Sequence, residues 1–506
     1  MTPDYISKVL LKFTDNPKDT WTVDDAVKGV SIIGGTGSGK TTASGKALAK
    51  AFLKEGWGGF VLCAKTEEAD LWKQYCKDTG REKDLIIFSK GSKHQEGEYE
   101  GEEIVFNPID YEMKRAGEGA GETQNITNIF MNIYRMGNRI ANEGDTREER
   151  YWDTALKRCL NRVIELIKLA GEDLSYSNMV KVISSSNNME KDTFTEAIVR
   201  KEREGEITEL EKDSNYCLKC MVNAYSTHFQ DKEIVSSEKL NAFNLVEDYF
   251  SQSMPTMGSR TKSVVTESFM GLSEPFLSGF LHRHFAGKTN IFPEWTYEKQ
   301  KIIVLDFPIK EFLDAGIIGQ SVFKLLFQQA IERRNIHQHP IPVFLWCDEA
   351  QYFVNPYDQI FLTTARSSRT ATVFLSQNIS NYFAVMGSGS DAKARVNSLM
   401  GNLCTKIFHA NSDAETNEYA SRLIGTDIMA MESGGTQYTT FSMRDSKSLG
   451  YSMQLVPQVL AKDFTTLRNG GLTNDYNVDA LVVVSGKKWS DKKNFQYVIF
   501  KQNFNN

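Results

Sequence analysis

The 506-residue chain, 41% apolar and 25% charged, has enough hydrophobic material for more than one packed domain, which excludes a disordered or low-complexity protein. Its 59 basic and 65 acidic residues leave a net charge of −6, which excludes bulk attraction to nucleic acid or to an anionic membrane; a polyanionic partner must meet a local basic surface. Seven cysteines without a regular framework fit a reducing compartment, and no stretch approaches the roughly 20 consecutive apolar residues that span a bilayer.

The N-terminal stretch MTPDYISKVLLKFTDNPKD lacks a basic start, an apolar run and a small-residue cleavage site, so it does not read as a signal peptide, and a cytoplasmic location is expected. Residues 29–33 (GVSII) form a short β-rich run entering a Gly-rich turn. TTASGKALAKAFLKEG behind it carries Ala and Leu at helical spacing up to a closing Gly. Phe60–Cys63 and Leu85–Phe88 read as further strands with a helix over Glu67–Cys76 between them, an alternation that predicts a parallel sheet. After the loose segment AGEGAGET (116–123) strand signals nearly vanish. YWDTALKRCLNRVIELIKLAG repeats apolar residues at three and four, and the charged run RKEREGEITELEKD (200–213) reads as a solvated helix. Strands return at 301–308, 342–349, 371–378 and 404–410, and residues 480–485 and 496–500 are expected to close the domain as a hairpin. The reading is therefore α/β: a nucleotide-binding domain over 1–122 and 296–506, with a mostly parallel central sheet, interrupted by an all-α insertion over 123–295.

GGTGSGKTT matches G-x-x-x-x-G-K-[ST] through Gly34, Gly39, Lys40 and Thr41, between a predicted strand and a predicted helix. Gly34, Gly35, Thr36, Gly37, Ser38 and Gly39 supply a loop whose backbone N–H groups can turn to the phosphates of ATP. Lys40 offsets phosphate charge, Thr41 can ligate Mg²⁺, and Thr42 is a candidate α-phosphate contact. IPVFLWCDEAQYF runs from an apolar strand into Asp348, the candidate metal-side carboxylate, and Glu349, suited to polarise the attacking water. ATVFLSQN ends a further strand on Gln377, which can bridge the γ-phosphate and that water. TTARSSRT between these strands presents Arg366 and Arg369, either of which could reach a neighbouring subunit's phosphate. Segment NISNYFAVMGSGSDAKAR, with Tyr382, Lys393 and Arg395, is a candidate pore lining. Cys217-x-x-Cys220 is discounted as a zinc site because no second pair follows at ribbon spacing.

The long separation between Lys40 and Asp348 is filled by the helical insertion. That layout, followed by DEAQYF, ARSSRTATVFLSQN and NSLMGNLCTKIFHANSDAETNEYASRLIG, resembles the TraG/TraD-type coupling proteins of type IV secretion, within the HerA–FtsK class of ring ATPases. The likeness spans roughly residues 25–470 and includes FNPID (106–110), Tyr151 and Trp152, KIIVLDFPIKEF and SLGYSMQLVPQVLAKDFTTLRNG. It implies a RecA-like fold carrying an all-α domain, and a hexameric ring that hydrolyses ATP with Mg²⁺ and drives single- or double-stranded DNA through its channel. It also implies phosphate, metal, water, sensor and finger roles for Lys40, Thr41, Asp348, Glu349, Gln377 and Arg366. In FVLCAKTEE, Cys63 stands where the family often has Asp, while Lys65 is kept. The family's usual transmembrane anchor is not visible here, so a membrane-bound secretion or transfer partner is expected to supply attachment. Two other functions fit the same motifs: a ring that recruits or unfolds protein substrates, and a nucleotide-controlled assembly protein with slow turnover.

Overall fold

A computed structural model describes residues 3–140, 147–186, 215–230, 236–386, 390–437 and 446–502. The charged run 200–213 and residues 387–389 of the candidate pore segment lie outside them.

A small antiparallel hairpin, β1 (Val9–Lys12) and β2 (Thr20–Thr22), leads into the first apolar run. The apolar runs fold as β3 (Val30–Ile33), β4 (Gly58–Leu62), β5 (Leu85–Ser89), β6 (Ile302–Asp306), β7 (Val343–Cys347), β8 (Thr370–Ser376) and β9 (Thr405–Phe408). Beyond a separate ribbon, β10 (Thr426–Gln437) and β11 (Ser446–Pro457), the expected terminal hairpin is β12 (Asn477–Val484) and β13 (Phe495–Lys501). Nine strands form the main sheet in the order β13-β12-β9-β3-β8-β7-β4-β6-β5, parallel from β9 to β5 and antiparallel at β12 and β13.

Every residue of β3, β4, β7 and β8 is buried, which is why these strands read as unbroken apolar runs and not as alternation. The period of two still sorts side chains between the faces. Val30, Ile32, Phe344, Trp346, Val373 and Leu375 join Trp21, Phe52, Trp57 and Trp72 on one side. Ile33, Leu345 and Phe374 join Phe323, Phe327 and the helical region on the other. Gly59 is required by this packing, since a Cβ there would lie 2.2 Å from the Phe344 ring on the neighbouring strand.

Between β5 and β6 the chain is helical. The helix Arg147–Leu169 buries Leu160, Val163, Ile164 and Ile167, an i, i+3, i+4, i+7 stripe, against the helices Thr123–Ile140 and Tyr216–His228. Cys217 and Cys220 sit in that same core, where burial pushes the Cys220 thiol up to about 12.

A buried ion pair fixes the segment that follows β7. Lys324, on the helix Ile309–Arg333, donates to both Asp358 carboxylate oxygens at 2.8 and 2.7 Å and to the Phe353 carbonyl at 2.7 Å. Gln328 and the Asn355 N–H complete the carboxylate's shell, and both charged side chains are wholly buried. Replacing one partner strands the other charge in the core. Lys324→Met is therefore expected to lose about 3–5 kcal/mol of stability, read as a fall in the denaturation midpoint; a loss under about 1 kcal/mol would mean the carboxylate finds water instead.

Candidate nucleotide-binding site

The site lies where the parallel strands end. β3 runs into Gly34–Lys40, and the chain then turns into the helix Lys46–Lys54 through a loose turn over Thr41–Gly45, in which the Gly45 N–H reaches the Lys40 carbonyl at 2.8 Å. Such i→i+5 turns are rare and recur at functional sites. The loop is tied to its neighbours: the Gly34 N–H donates to Ser376 at the end of β8 (3.2 Å), and the Gly35 N–H donates to Ala410 beyond β9 (2.9 Å). Gly39 has φ +82° and a Cβ there would meet Val478 at 2.7 Å, so neither the conformation nor the space admits a side chain.

From β7, Asp348 meets the loop across 307 residues of sequence: the Thr41 hydroxyl donates to its Oδ2 at 3.0 Å. Its Oδ1 accepts the Glu349 N–H at 2.8 Å. Glu349 has φ +45°, a left-handed conformation that a non-glycine residue adopts only where the surroundings impose it. Its Oε1 accepts from the Lys65 ammonium at 2.6 Å and the Gln377 amide at 3.1 Å, and its Oε2 accepts from the Gln351 amide at 3.0 Å. Lys40 Nζ stands 3.9 Å from Oε1. Burial would raise the Glu349 carboxyl, but the bonds from Lys65 and Gln351 and the fields of Lys40 and Lys65 hold it below the usual range. Gln377 also accepts from the Thr36 hydroxyl at 3.2 Å, so it spans from the loop to Glu349.

Lys40, Thr41, Asp348, Glu349, Gln377 and Thr36 are thus brought together. Thr42 is beside them, but its hydroxyl accepts from the Gln502 amide at 2.8 Å. Arg366 is not in the group. It precedes β8, whose seven residues place it roughly 23 Å from the edge that carries the loop. There it is mostly exposed and pairs with Asp24 at 3.3 Å. Arg369 lies at that same far edge, with φ +52° and a bond to the Pro340 carbonyl at 3.1 Å. Tyr382 is corrected as a pore candidate: it is 1% exposed and belongs to the core, whereas Lys393 and Arg395 are exposed.

Several neighbours were assigned no role in the sequence reading, although Lys65 was named there as part of a motif. Lys65 comes from the turn after β4, Glu68 from the first residue of the helix that follows it, Gln351 from just past Glu349, and His409 from the end of β9. Glu68 accepts the Ala64 N–H at 2.7 Å, and its buried second oxygen has no protein partner; it lines one small cavity with Thr41 and Asp348. His409 donates from Nδ1 to the Asp479 carbonyl at 2.9 Å, which leaves Nε2 to accept from Ser44 at 2.7 Å. Burial holds it neutral, pushing its pKa down to about 4. The strings DEAQYF and FVLCAKTEE carry Gln351, Lys65 and Glu68, but folding alone brings them to Asp348 and Glu349.

A Gly-rich loop closing a central parallel strand, and an acid bonded to its Thr from the next strand but one, define a P-loop nucleotide-binding protein of RecA-like fold with an inserted all-α region. Residues 342–463 match the family described as the TraM recognition site of TraD and TraG. Over nearly its whole length the chain shares the fold of the bacterial conjugative coupling protein TrwB. Against the unbound TrwBdeltaN70 form the TM-score is 0.54 at 13% identity, covering 97% of this chain and 90% of that one. Against TrwB with the non-hydrolysable analogue ADPNP it is 0.54 at 12% identity, covering 98% and 94%. Against TrwB with ADP and Mg²⁺ it is 0.52 at 13% identity, covering 97% and 90%. No curated protein matches the sequence significantly. The chain resembles TraG/TraD-type coupling proteins, in sequence over that segment and in fold over almost all of its length. Among the described residues no helix is long and apolar enough to cross a membrane.

Proposed function

We propose that this chain is an ATP-hydrolysing ring motor that translocates DNA in a conjugative or type IV secretion system. The observation that carries the reading is the Thr41–Asp348 bond, with Glu349 and Lys40 beside it, on a fold shared with TrwB. The loop N–H groups and Lys40 hold the phosphates of ATP. The Thr41 hydroxyl and the Asp348 carboxylate are hard oxygen donors already 3.0 Å apart, a set that suits Mg²⁺, and the unpartnered Glu68 oxygen lining the same cavity is a further acceptor for a metal-bound water. When bound, Mg²⁺ would neutralise charge on the β- and γ-phosphates.

Glu349 then orients the attacking water. The water oxygen bonds to the γ-phosphorus, one of its protons goes to the Glu349 carboxylate, and the bond to the bridging oxygen breaks to release ADP; the proton later passes to solvent. Gln377 links Thr36 to Glu349 and so can report the γ-phosphate to the base. Arg366, remote from its own site, acts on a neighbouring subunit if the chains close into a hexamer. The match to a segment described as a TraM recognition site makes residues 342–463 the region in which to seek a protein partner of the ring, and a membrane-bound partner would supply attachment.

The test is steady-state ATP hydrolysis with and without single- and double-stranded DNA over a salt series, with particle mass measured in parallel. The motor reading expects stimulation by DNA that fades as salt rises, because phosphate contacts release counterions, together with a six-subunit mass. A monomer with slow, DNA-indifferent turnover would overturn it in favour of a nucleotide-controlled assembly protein. Stimulation by protein substrate but not by DNA would change the cargo.

A further inference from the structure

A carboxylate oxygen has two acceptor positions, and on Glu349 Oε1 both are filled, one by Lys65 and one by Gln377. Gln351 occupies one position on Oε2. Oε1 is the oxygen 3.9 Å from Lys40 Nζ, so beside the phosphate-binding lysine the base has no open acceptor position, and its one open position is on Oε2.

The donors differ in how readily they let go. Gln351 is 4% exposed and is itself held by the Ser376 hydroxyl at 2.9 Å, and Gln377 is tied to Thr36. The Lys65 side chain is 43% exposed, so its ammonium can withdraw into water without burying a charge. Partial burial works against the ammonium, but Asp348 and the bond to Glu349, with Glu68 behind them, raise its pKa and keep it charged. Glu349 is held in place as Lys65 leaves, because the amides of Gln351 and Gln377 still bond its carboxylate.

We propose that Lys65 is a releasable latch on Glu349: it occupies the proton-accepting position of the base in the idle protein, and an outside contact that draws it away switches hydrolysis on. This rests on the reading of Glu349 as the base. Lys65 is then a positioning residue that restrains turnover, set on the turn between β4 and the helix Glu68–Thr79, where engagement of DNA or of the next subunit can reach it.

The experiment measures kcat and KM for Lys65→Met and Lys65→Arg, with and without DNA, alongside equilibrium ATP binding. Lys65→Met is expected to raise the unstimulated kcat by about 3- to 10-fold, hold KM within about twofold and bring the DNA stimulation ratio towards one. Lys65→Arg, which keeps a cation on the carboxylate, is expected to retain the wild-type ratio. A Lys65→Met enzyme that is slower than, or equal to, the wild type without DNA overturns the latch while leaving the ATPase reading intact. Nucleotide binding without hydrolysis by either protein, under any condition, overturns the ATPase reading and the latch with it.

Discussion

Glu349→Gln is expected to bind ATP as the wild type does and to hydrolyse it about 10²- to 10⁴-fold more slowly, the range over which a positioned general base acts. The substitution keeps the size of the side chain and its amide oxygen can still accept from Gln377, so the loop and Asp348 keep their places. What it removes is the ability to take a proton. It also removes the negative charge to which Lys65 is bonded at 2.6 Å, leaving that ammonium to solvent. Single-turnover hydrolysis and equilibrium binding of a fluorescent ATP analogue separate the two effects. Wild-type turnover in this variant would sink the assignment of the base and would point to Glu68, the other acid beside Asp348, as the next candidate.

Lys40→Ala is expected to weaken ATP binding by about 100-fold or more, because each charge-assisted bond lost to a phosphate is worth about 1.5–3 kcal/mol. Lys40 is 7% exposed, so its ammonium is already desolvated and pays little further cost on meeting a nucleotide. The variant should still fold, since Glu349 keeps Lys65, Gln377 and Gln351 as donors. Titration with the same analogue, with circular dichroism as the folding control, reads the result. Binding within about threefold of the wild type would show that the loop N–H groups suffice and that Lys40 serves only hydrolysis.

Much of this was legible in the sequence because of burial. β3, β4, β7 and β8 are covered on both faces, so each is a run of apolar residues with a polar or Gly-rich end, and those ends are the site. β10 and β11 were missed for the opposite reason. They pair over twelve rungs, from Thr426 with Pro457 to Gln437 with Ser446, yet Ile428, Met453 and Leu455 are 64%, 76% and 71% exposed. The described side chains of both strands are largely exposed, so burial imposes no period on TDIMAMESGGTQ, which resembles a loop; β11 does alternate, with Tyr451, Met453 and Leu455 at every second position, and that signal was passed over. Lys65 was visible only as part of a motif, since its bond to Glu349 joins residues 284 apart in sequence. Arg366 could be read as near the acidic strand but not as lying at the wrong end of it; that follows from strand direction, which the pairing of β7 with β8 fixes.

The position of β3 sets a timetable for the newborn chain. Its neighbours in the sheet are β8 and β9, so the strand that carries the P-loop waits for partners made roughly 340 residues later, or about 17–70 seconds at 5–20 residues per second. The helical region between β5 and β6 is complete well before then, and its helices Arg147–Leu169, Thr123–Ile140 and Tyr216–His228 pack on one another. Ribosome-bound chains halted before residue 370 are expected to resist protease within 150–186 and 236–285 and to be cut readily around 20–60. Although it leaves the ribosome long before its sheet partners, the phosphate loop would be among the last elements to take shape, and its apolar strand would need shielding by a chaperone in the meantime.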